Sequence, residues 1–431
     1  MTTPEGVSET ATLRKISWRL LPLIAIGYGI AYMDRVNISF AALQMNRDLG
    51  FSATVYGLGG GLFFLSYAAL EVPSNMILAR VGARLWITRI MLTWGVIAMG
   101  MAFVQTPWQF YTMRFLLGAA EAGFFPGVLY YVTLWFPEAH RARAITRFYF
   151  AVPLSAALMG TVAGSLLGLH GLSGLAGWQW LFLVQGAPAV LMSAVIFFAL
   201  PDRPAAVRWL TAEEKSWLTG RLAADAAGRR GDSHNPFRAL FNPTIAALVA
   251  VNFLVLGSGY AFTLSAPQIV KDATGLDTAA VGYIAAAGGL AGAAAMLING
   301  WLSDRTGERH LFVVAPLLAV GAAMAVLSLT DLPAAVIAGY LIYTVGNFAA
   351  MGLFWTTPGA ILHPRSAAVG VAVINSLGQI GSFMIPSLWG VAKDQTGTYH
   401  AGLAVVAINF TLAALILLVL RARAKRVALA A

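Results

Sequence analysis

Between Phe148 and Pro201 the chain contains no Asp, Glu, Lys or Arg. A helix needs roughly 20 apolar residues to cross the hydrocarbon of a bilayer, so this stretch is too long for one crossing. A Gly-rich break at His170–Gly177 makes it two. Similar charge-poor stretches recur along the chain. They predict twelve spans, near residues 20–43, 56–79, 86–105, 107–133, 144–168, 177–200, 243–265, 279–301, 311–329, 333–356, 367–391 and 401–420. Only 11% of the 431 residues are charged, against about 25% in soluble domains. That much apolar side chain leaves no wetted exterior for a soluble fold. Disorder is excluded by the same apolar content, and a disulfide-stapled fold by the absence of Cys. The expected fold class is an all-α integral membrane protein.

The basic residues set the orientation. With an even number of spans both chain ends lie on one side, and 23 of the 28 basic residues fall there. Only Arg47, Lys271 and Lys393 fall on the other side, while Arg35 and Arg114 lie inside spans. Both ends are therefore expected in the cytoplasm. The net charge of +10 reads as a topology signal, with nucleic acid excluded as a partner and the bilayer as the expected one.

The chain divides into halves. Residues 1–200 form one six-span bundle, 243–431 a second, and 201–242 a cytoplasmic loop. Within the loop, Trp209–Leu222 (WLTAEEKSWLTGRL) is predicted as an amphipathic surface helix, opened by a Thr cap with Glu213 or Glu214 in its first turn. The halves echo each other. Arg80-Val-Gly-Ala-Arg84 recurs as Arg305-Thr-Gly-Glu-Arg309, 225 positions later, and Arg141 recurs as Arg365 at an offset of 224. Duplicated halves place a substrate site near the midplane between them.

Five ionisable residues lie inside spans: Asp34, Arg35, Glu71, Arg114 and Glu121. Unpaired, five such charges cost on the order of 15 kcal/mol, so pairing or a water-filled cavity is required. Glu71, next to Pro73, is expected to bridge to a loop Arg. Arg114 and Glu121 are i and i+7, hence on one helix face about 10 Å apart. Gly118, Gly123 and Gly127 leave room there for a close neighbour. On span one, Tyr28, Tyr32, Arg35 and Ser39 form a polar stripe that suits a cavity wall.

An Arg fork matches a carboxylate bidentately. Desolvation and a neighbouring guanidinium pull the proton affinity of a carboxyl in opposite directions. A group so balanced exchanges a proton as an anion comes and goes. Once it is protonated, its Arg is free for a substrate carboxylate, and linkage makes the coupling reciprocal. On this reading Arg35 holds the substrate, Asp34 and Glu121 carry protons, and Arg114 pairs with one of the two acids.

Several stretches together resemble a known family. AYMDRVNISFAAL (31–43), EVPSNMILARVGAR (71–84), RFLLGAAEAGFFPGVLYYVTLWFP (114–137), HRARA (140–144), GWQWLFLVQGAPAVL (177–191), SDRTGERH (303–310) and VINSLGQIG (373–381) are similar to the anion:cation symporters of the major facilitator superfamily, over about residues 14 to 420. GLSGLAGWQWLF and FAVPLSAALMG look most like the branch of tartrate, hydroxyphenylacetate and phthalate permeases. The resemblance implies a monomeric twelve-helix alternating-access transporter in a bacterial-type inner membrane, with proton-coupled uptake of small organic anions and no cofactor beyond the coupling proton. It implies roles for Asp34, Arg35, Arg114, Glu121, Tyr67 and Asn375. One departure stands out. The loop after span two usually carries an Asp before its Arg; here Ala79 precedes Arg80, and the Asp is kept only as Asp304. That puts the gating contact of the first loop (Arg80, Arg84) in question beside its counterpart (Asp304, Arg305, Arg309). Phe150-Ala-Val-Pro153 stands where sugar-acid members carry a polar amide.

The second half supplies neutral candidates. Tyr343 and Asn347 share a face of span ten, and Asn375, Gln379 and Ser382 a face of span eleven. Tyr260 lies in span seven, whose Gly257-Ser-Gly259 is expected to unwind the helix. There is no Walker A, H-E-x-x-H or G-x-S-x-G sequence, and the six His are not spaced for a metal. An enzyme is therefore not expected, nor a metal site. A sugar-acid symporter, an anion exchanger, sodium coupling and a non-transporting sensor are the alternatives carried forward.

Overall fold

A computed structural model describes residues 8–227, 242–355 and 364–430. The basic residues Arg229, Arg230 and Arg238 of the linker, together with His234 and His363, lie outside the described residues, as does the side chain of Arg365. The described chain is helical: α1 (Glu9–Leu49), α2 (Ala53–Val81), α3 (Ala83–Gly100), α4 (Pro107–Glu121), α5 (Phe124–Trp135), α6 (Glu138–Tyr149), α7 (Ala151–Leu167), α8 (Gly177–Ala199), α9 (Ala212–Ala227), α10 (Pro243–Thr274), α11 (Thr278–Thr306), α12 (His310–Leu327), α13 (Pro333–Phe354), α14 (Pro364–Thr396) and α15 (His400–Ala430). Eleven helical segments among the described residues are long and apolar enough to cross a membrane. The 33-residue α14 occupies the eleventh place in the order. The expected all-α, twelve-span architecture is the one observed.

Polar side chains start the helices where the apolar runs begin. Ser8, Ser52, Thr106, Asn242 and Asp277 each accept a bond from a backbone N–H of the first turn, filling an otherwise orphaned donor. Two expected boundaries change. The fourth span is two helices, α4 and α5, broken at Ala122–Gly123, and the fifth starts earlier, as α6 running into α7 at Phe150. The seventh span does not unwind. α10 runs unbroken through Gly257–Gly259, because Gly257 packs against the backbone of Gly381 in α14 and a close helix crossing explains its missing Cβ.

We call the membrane face carrying the chain ends the near face and the opposite one the far face. Two core clusters fill the two halves, the first reaching across to Phe348 of the second. A third is shared: Val36, Phe40, Phe51, Tyr56, Phe110 and Met159 of the first half pack with Leu264 and Ala285 of the second. These residues lie toward the far face, so the halves are fused there. Backbones approach closely along two seams. A Cβ on Gly57 would run into the Pro386 carbonyl, and one on Gly390 into the Ala53 carbonyl. Across the other seam, Gly160 and Gly282 each lie on the other's carbonyl. Polar contacts reinforce the closure. Tyr56 donates to the Leu264 carbonyl at 2.9 Å, and Asp394 accepts from the Ala53 and Thr54 amides at 3.0 and 2.7 Å.

The linker helix α9 is amphipathic, but its apolar face lies on protein rather than lipid. Leu218 is fully buried; the helix starts at Ala212 rather than at the expected Trp209, which lies ahead of it and stacks on Trp135 at 5.8 Å, with Arg19 over its ring at 4.8 Å. Glu214 makes the capping box: its carboxylate accepts from the Thr211 amide at 2.8 Å while its own amide donates to the Thr211 hydroxyl. The same carboxylate accepts from Lys15 of α1 at 3.0 Å. Asp225, at the other end, accepts from the Glu138 amide at 2.8 Å. The linker helix is thus a bracket on the near face of the first half.

The Glu214 carboxyl is held below the usual Glu range. Partial burial works against this, and the bonds from Thr211, Lys15 and Thr12 outweigh it. A depressed folded value gives stability that is full above the unfolded value, near ~4.3, and fades as pH falls through the lower folded value. We expect Glu214→Gln to loosen the bracket by about 1 kcal/mol at pH 7. The gap between the melting curves of wild type and variant should begin to narrow as pH falls below the unfolded value and close only below the lowered folded one; a gap that did not narrow with falling pH would contradict the assignment.

Candidate functional site

The buried charges of the first half meet between α1, α2 and α4. Arg35 projects from α1 and its guanidinium meets Glu121, the last residue of α4, with Nε and Nη2 each 2.6 Å from Oε2. The Glu121 side chain is wholly buried and that of Arg35 is 10% exposed. Such a pair is held by geometry: removing one partner of a buried ion pair costs about 3–5 kcal/mol because the other charge is stranded. The Tyr67 and Phe63 rings of α2 flank the guanidinium at 5.0 and 5.8 Å. Tyr260 of α10 also acts on it electrostatically, so a residue of the second half reaches the same charge. Glu121 Oε1 has no hydrogen-bond partner among the described residues.

Asp34, the neighbour of Arg35, points elsewhere. It is buried, accepts from Asn37 at 3.0 Å, and leaves Oδ2 without a partner among the described residues. Arg114 departs from the expected pairing with Asp34 or Glu121. Its Nε donates to the Gly59 carbonyl at 3.3 Å and its Nη2 to the Gly60 carbonyl at 3.5 Å, and it lies 4.8 Å over the Phe63 ring. The physical reason lies in α2. The Gly59-Gly60-Gly61 run has no side chains to screen its carbonyls, so the guanidinium docks on the backbone. Both acids still act on Arg114 through space rather than by direct contact. Phe63 therefore lies within reach of two guanidinium groups.

The break in the fourth span lies directly beyond Glu121. Gly123 has φ +87°, a left-handed conformation that favours glycine, and a Cβ there would strike Ser74. Ser74 donates to the Ala122 carbonyl at 2.7 Å, which the interrupted helix leaves unpaired, and accepts from the Trp86 indole at 2.9 Å. Sequence reasoning assigned Gly123 to helix packing and did not include Ser74 or Trp86.

Glu71 is the other correction. Its carboxylate does not bridge to a loop Arg. It accepts from Asn375 of α14 at 2.9 Å, crossing between the halves, with Ser376 alongside. Asn375 was a candidate from the sequence; its partner was not. Gln379, one turn on, is buried with Oε1 unpartnered among the described residues. Tyr32 and Ser39 of the expected α1 stripe line a small cavity of about 60 Å³ with Thr263, Tyr343, Thr344 and Asn347. Tyr343 donates to the Gly259 carbonyl at 2.7 Å. Tyr28 leaves the stripe for a ring cluster with Phe125 and Phe148.

The loop residues sit apart. Arg80, Asp304, Arg305 and Arg309 are exposed on the near face, and Arg305 lies over its own helix's Trp301 at 5.2 Å. Arg84 meets Asp202 of the same half, through its amide at 2.9 Å and its guanidinium at 3.6 Å. No group of three or more His, Cys, Asp or Glu among the described residues is placed to hold a metal.

The family model of the Major Facilitator Superfamily matches residues 24–386. A protein of Agrobacterium vitis, provisionally named a tartrate transporter, is 45% identical over 412 residues, covering 96% of this chain and 92% of its own. A metabolite transport protein of Pseudomonas putida, provisionally so named and designated NicT, is 41% identical over 417 residues, covering 96% and 95%. Among solved structures, the xylose transporter XylE of Escherichia coli, in a partially occluded inward-open conformation, superposes with a TM-score of 0.75 at 12% identity, covering 93% and 96%. The chain belongs to the major facilitator superfamily: it is a multi-pass membrane transporter, not an enzyme.

Proposed function

We propose that this transporter carries a small organic carboxylate into the cell together with protons, by alternating access across the seam between its halves. The observation that carries the reading is the Arg35–Glu121 pair. The guanidinium that would hold a substrate carboxylate is bound to a buried carboxylate of the protein, beside Tyr260 of the opposite half. One guanidinium and two competing acids make a switch. Protonation of Glu121 releases Arg35, substrate takes the vacated place, and loss of the substrate on the other side returns the proton. Asp34, buried with one oxygen unpartnered, is the second proton carrier, and Arg114 acts on it through space. Glu71–Asn375 ties the halves.

The basic-residue bias supports a near face in the cytoplasm. Hydroxyl and amide groups around the small cavity, with Tyr32 one turn from Arg35, suit an acid bearing hydroxyls. The Agrobacterium vitis relative's name points to tartrate. An aromatic carboxylate satisfies the same guanidinium, and the resembled branch holds both kinds.

Uptake of tartrate into proteoliposomes with an imposed pH gradient tests the reading. Acceleration by an inward proton gradient is expected; uptake that needs only internal anion would mark an exchanger instead. Arg35→Ala should weaken apparent affinity at least tenfold, about 1.4 kcal/mol. Glu121→Gln should keep binding and counterflow, lose accumulation against a gradient, and show a flat pH profile. Retained accumulation in Glu121→Gln would remove it from coupling.

The Glu71–Asn375 bond gives a separate expectation. Glu71→Ala, Asn375→Ala and the double variant should slow transport by similar factors, since either change breaks one shared bond. Additive losses would show that the two residues act independently.

A further inference from the structure

Of 28 basic residues, three lie toward the far face: Arg47, Lys271 and Lys393. They are hundreds of positions apart in sequence, yet all three line one cavity of about 540 Å³ between the far ends of α1, α2, α10 and α14. Each occupies the last turn of its helix, where a cation complements the negative end of the helix dipole. Dipole compensation alone does not explain the choice. The helices α3, α7 and α12 also end on this face, and none has a basic residue in its last turn. The cations follow the cavity rather than the helix ends.

Two acids share the cavity wall with the three cations, leaving it one net positive charge, and both acids are hydrogen-bonded. Asp394 accepts from the Ala53 and Thr54 amides, and Asp272 from Gln268 at 2.6 Å. The Lys271 side chain makes no hydrogen bond or ion pair among the described residues, its backbone carbonyl accepting only the capping bond from the Gly275 amide. Lys393 donates to the Gly397 carbonyl at 2.8 Å and lies 4.1 Å over the Tyr399 ring. Arg47 is 79% exposed and meets Asp48 at 3.6 Å. Trp389 and Tyr399 supply an aromatic wall for a carbon skeleton. Tyr56 also lines this cavity, and its bond to the Leu264 carbonyl belongs to the far-face closure.

We infer that this cavity is a second anion site, a vestibule that collects a small carboxylate at the closed far-face gate before the central site opens to it. A concave surface with cations converging on it concentrates anions locally and does so in a salt-dependent way. The ligand class is the one proposed above for Arg35. The site itself stands on separate residues and has its own readout.

The chain has no cysteine, so Asn46→Cys in the cavity wall, which leaves the Gln268–Asp272 bond intact, gives a unique thiol. In protein purified in a neutral detergent, free of anionic lipid headgroups, its labelling by a charged thiol reagent is timed with sodium tartrate or sodium phthalate, against sodium chloride at equal ionic strength. At least one of the two carboxylates should slow labelling severalfold. The protection should persist when Arg35→Ala is added, shrink at high salt, disappear in Lys271→Gln/Lys393→Gln, and survive in Lys271→Arg/Lys393→Arg. Protection by neither carboxylate would overturn the inference. So would protection that vanishes with Arg35→Ala while surviving the double Lys→Gln change, because the anion would then bind only centrally. Slowing of labelling by added phosphatidylglycerol but by neither carboxylate would assign the cavity to a lipid headgroup, and that too would overturn it. If Arg35→Ala instead transports like wild type, the central assignment fails while the labelling result still decides the vestibule.

Discussion

One guanidinium–carboxylate contact organises this protein. In a low-dielectric interior neither Arg35 nor Glu121 can be left alone, and their mutual attraction is the cheapest local answer to the desolvation of both. That requirement fixes how α1 and α4 sit, why aromatic rings rather than aliphatic ones surround the guanidinium, and why Tyr260 of the second half is drawn to it. A competitor for either partner therefore has leverage over the packing of helices. On the proposed reading, this is the physical link between a proton or an anion and a movement of the halves.

The seams between the halves complement that centre. At the far face, glycine lets backbone lie on backbone, so the contact is close but makes few strong individual bonds. The polar ties there, Tyr56 to Leu264 and Asp394 to the start of α2, each have a backbone group as one partner. Neither demands that a buried charge be stranded when it parts. Closure is thus reversible by construction, and the costly electrostatics stay in the middle.

The periodic loss of charge made the fold readable: the apolar stretches and the helical linker follow from where Asp, Glu, Lys and Arg are absent or gathered. The five intramembrane charges were equally visible, because each is expensive. Their partners were not. Arg114 turned to bare glycine carbonyls, and Glu71 to an amide some three hundred positions away. A carbonyl carries no sequence signal, and a cross-half bond depends on how two bundles dock. The Gly257–Gly259 run and Gly123 show the same limit from the other side. The first read as an unwound helix and is a tight crossing in an intact one; the second read as room for a close neighbour and is a true break. Glycine marks a special backbone position without telling which kind.

That break has a consequence for how force could pass through the fourth span. Glu121 terminates the helix that starts at the far face, whereas the helix continuing to the near face begins afresh after a break held by Ser74 and Trp86. Bending of the near-face segment need not drag the acid with it. The charge centre would keep its register with the outer scaffold while the inner gate swings, as a door turns on its hinge without shifting the frame.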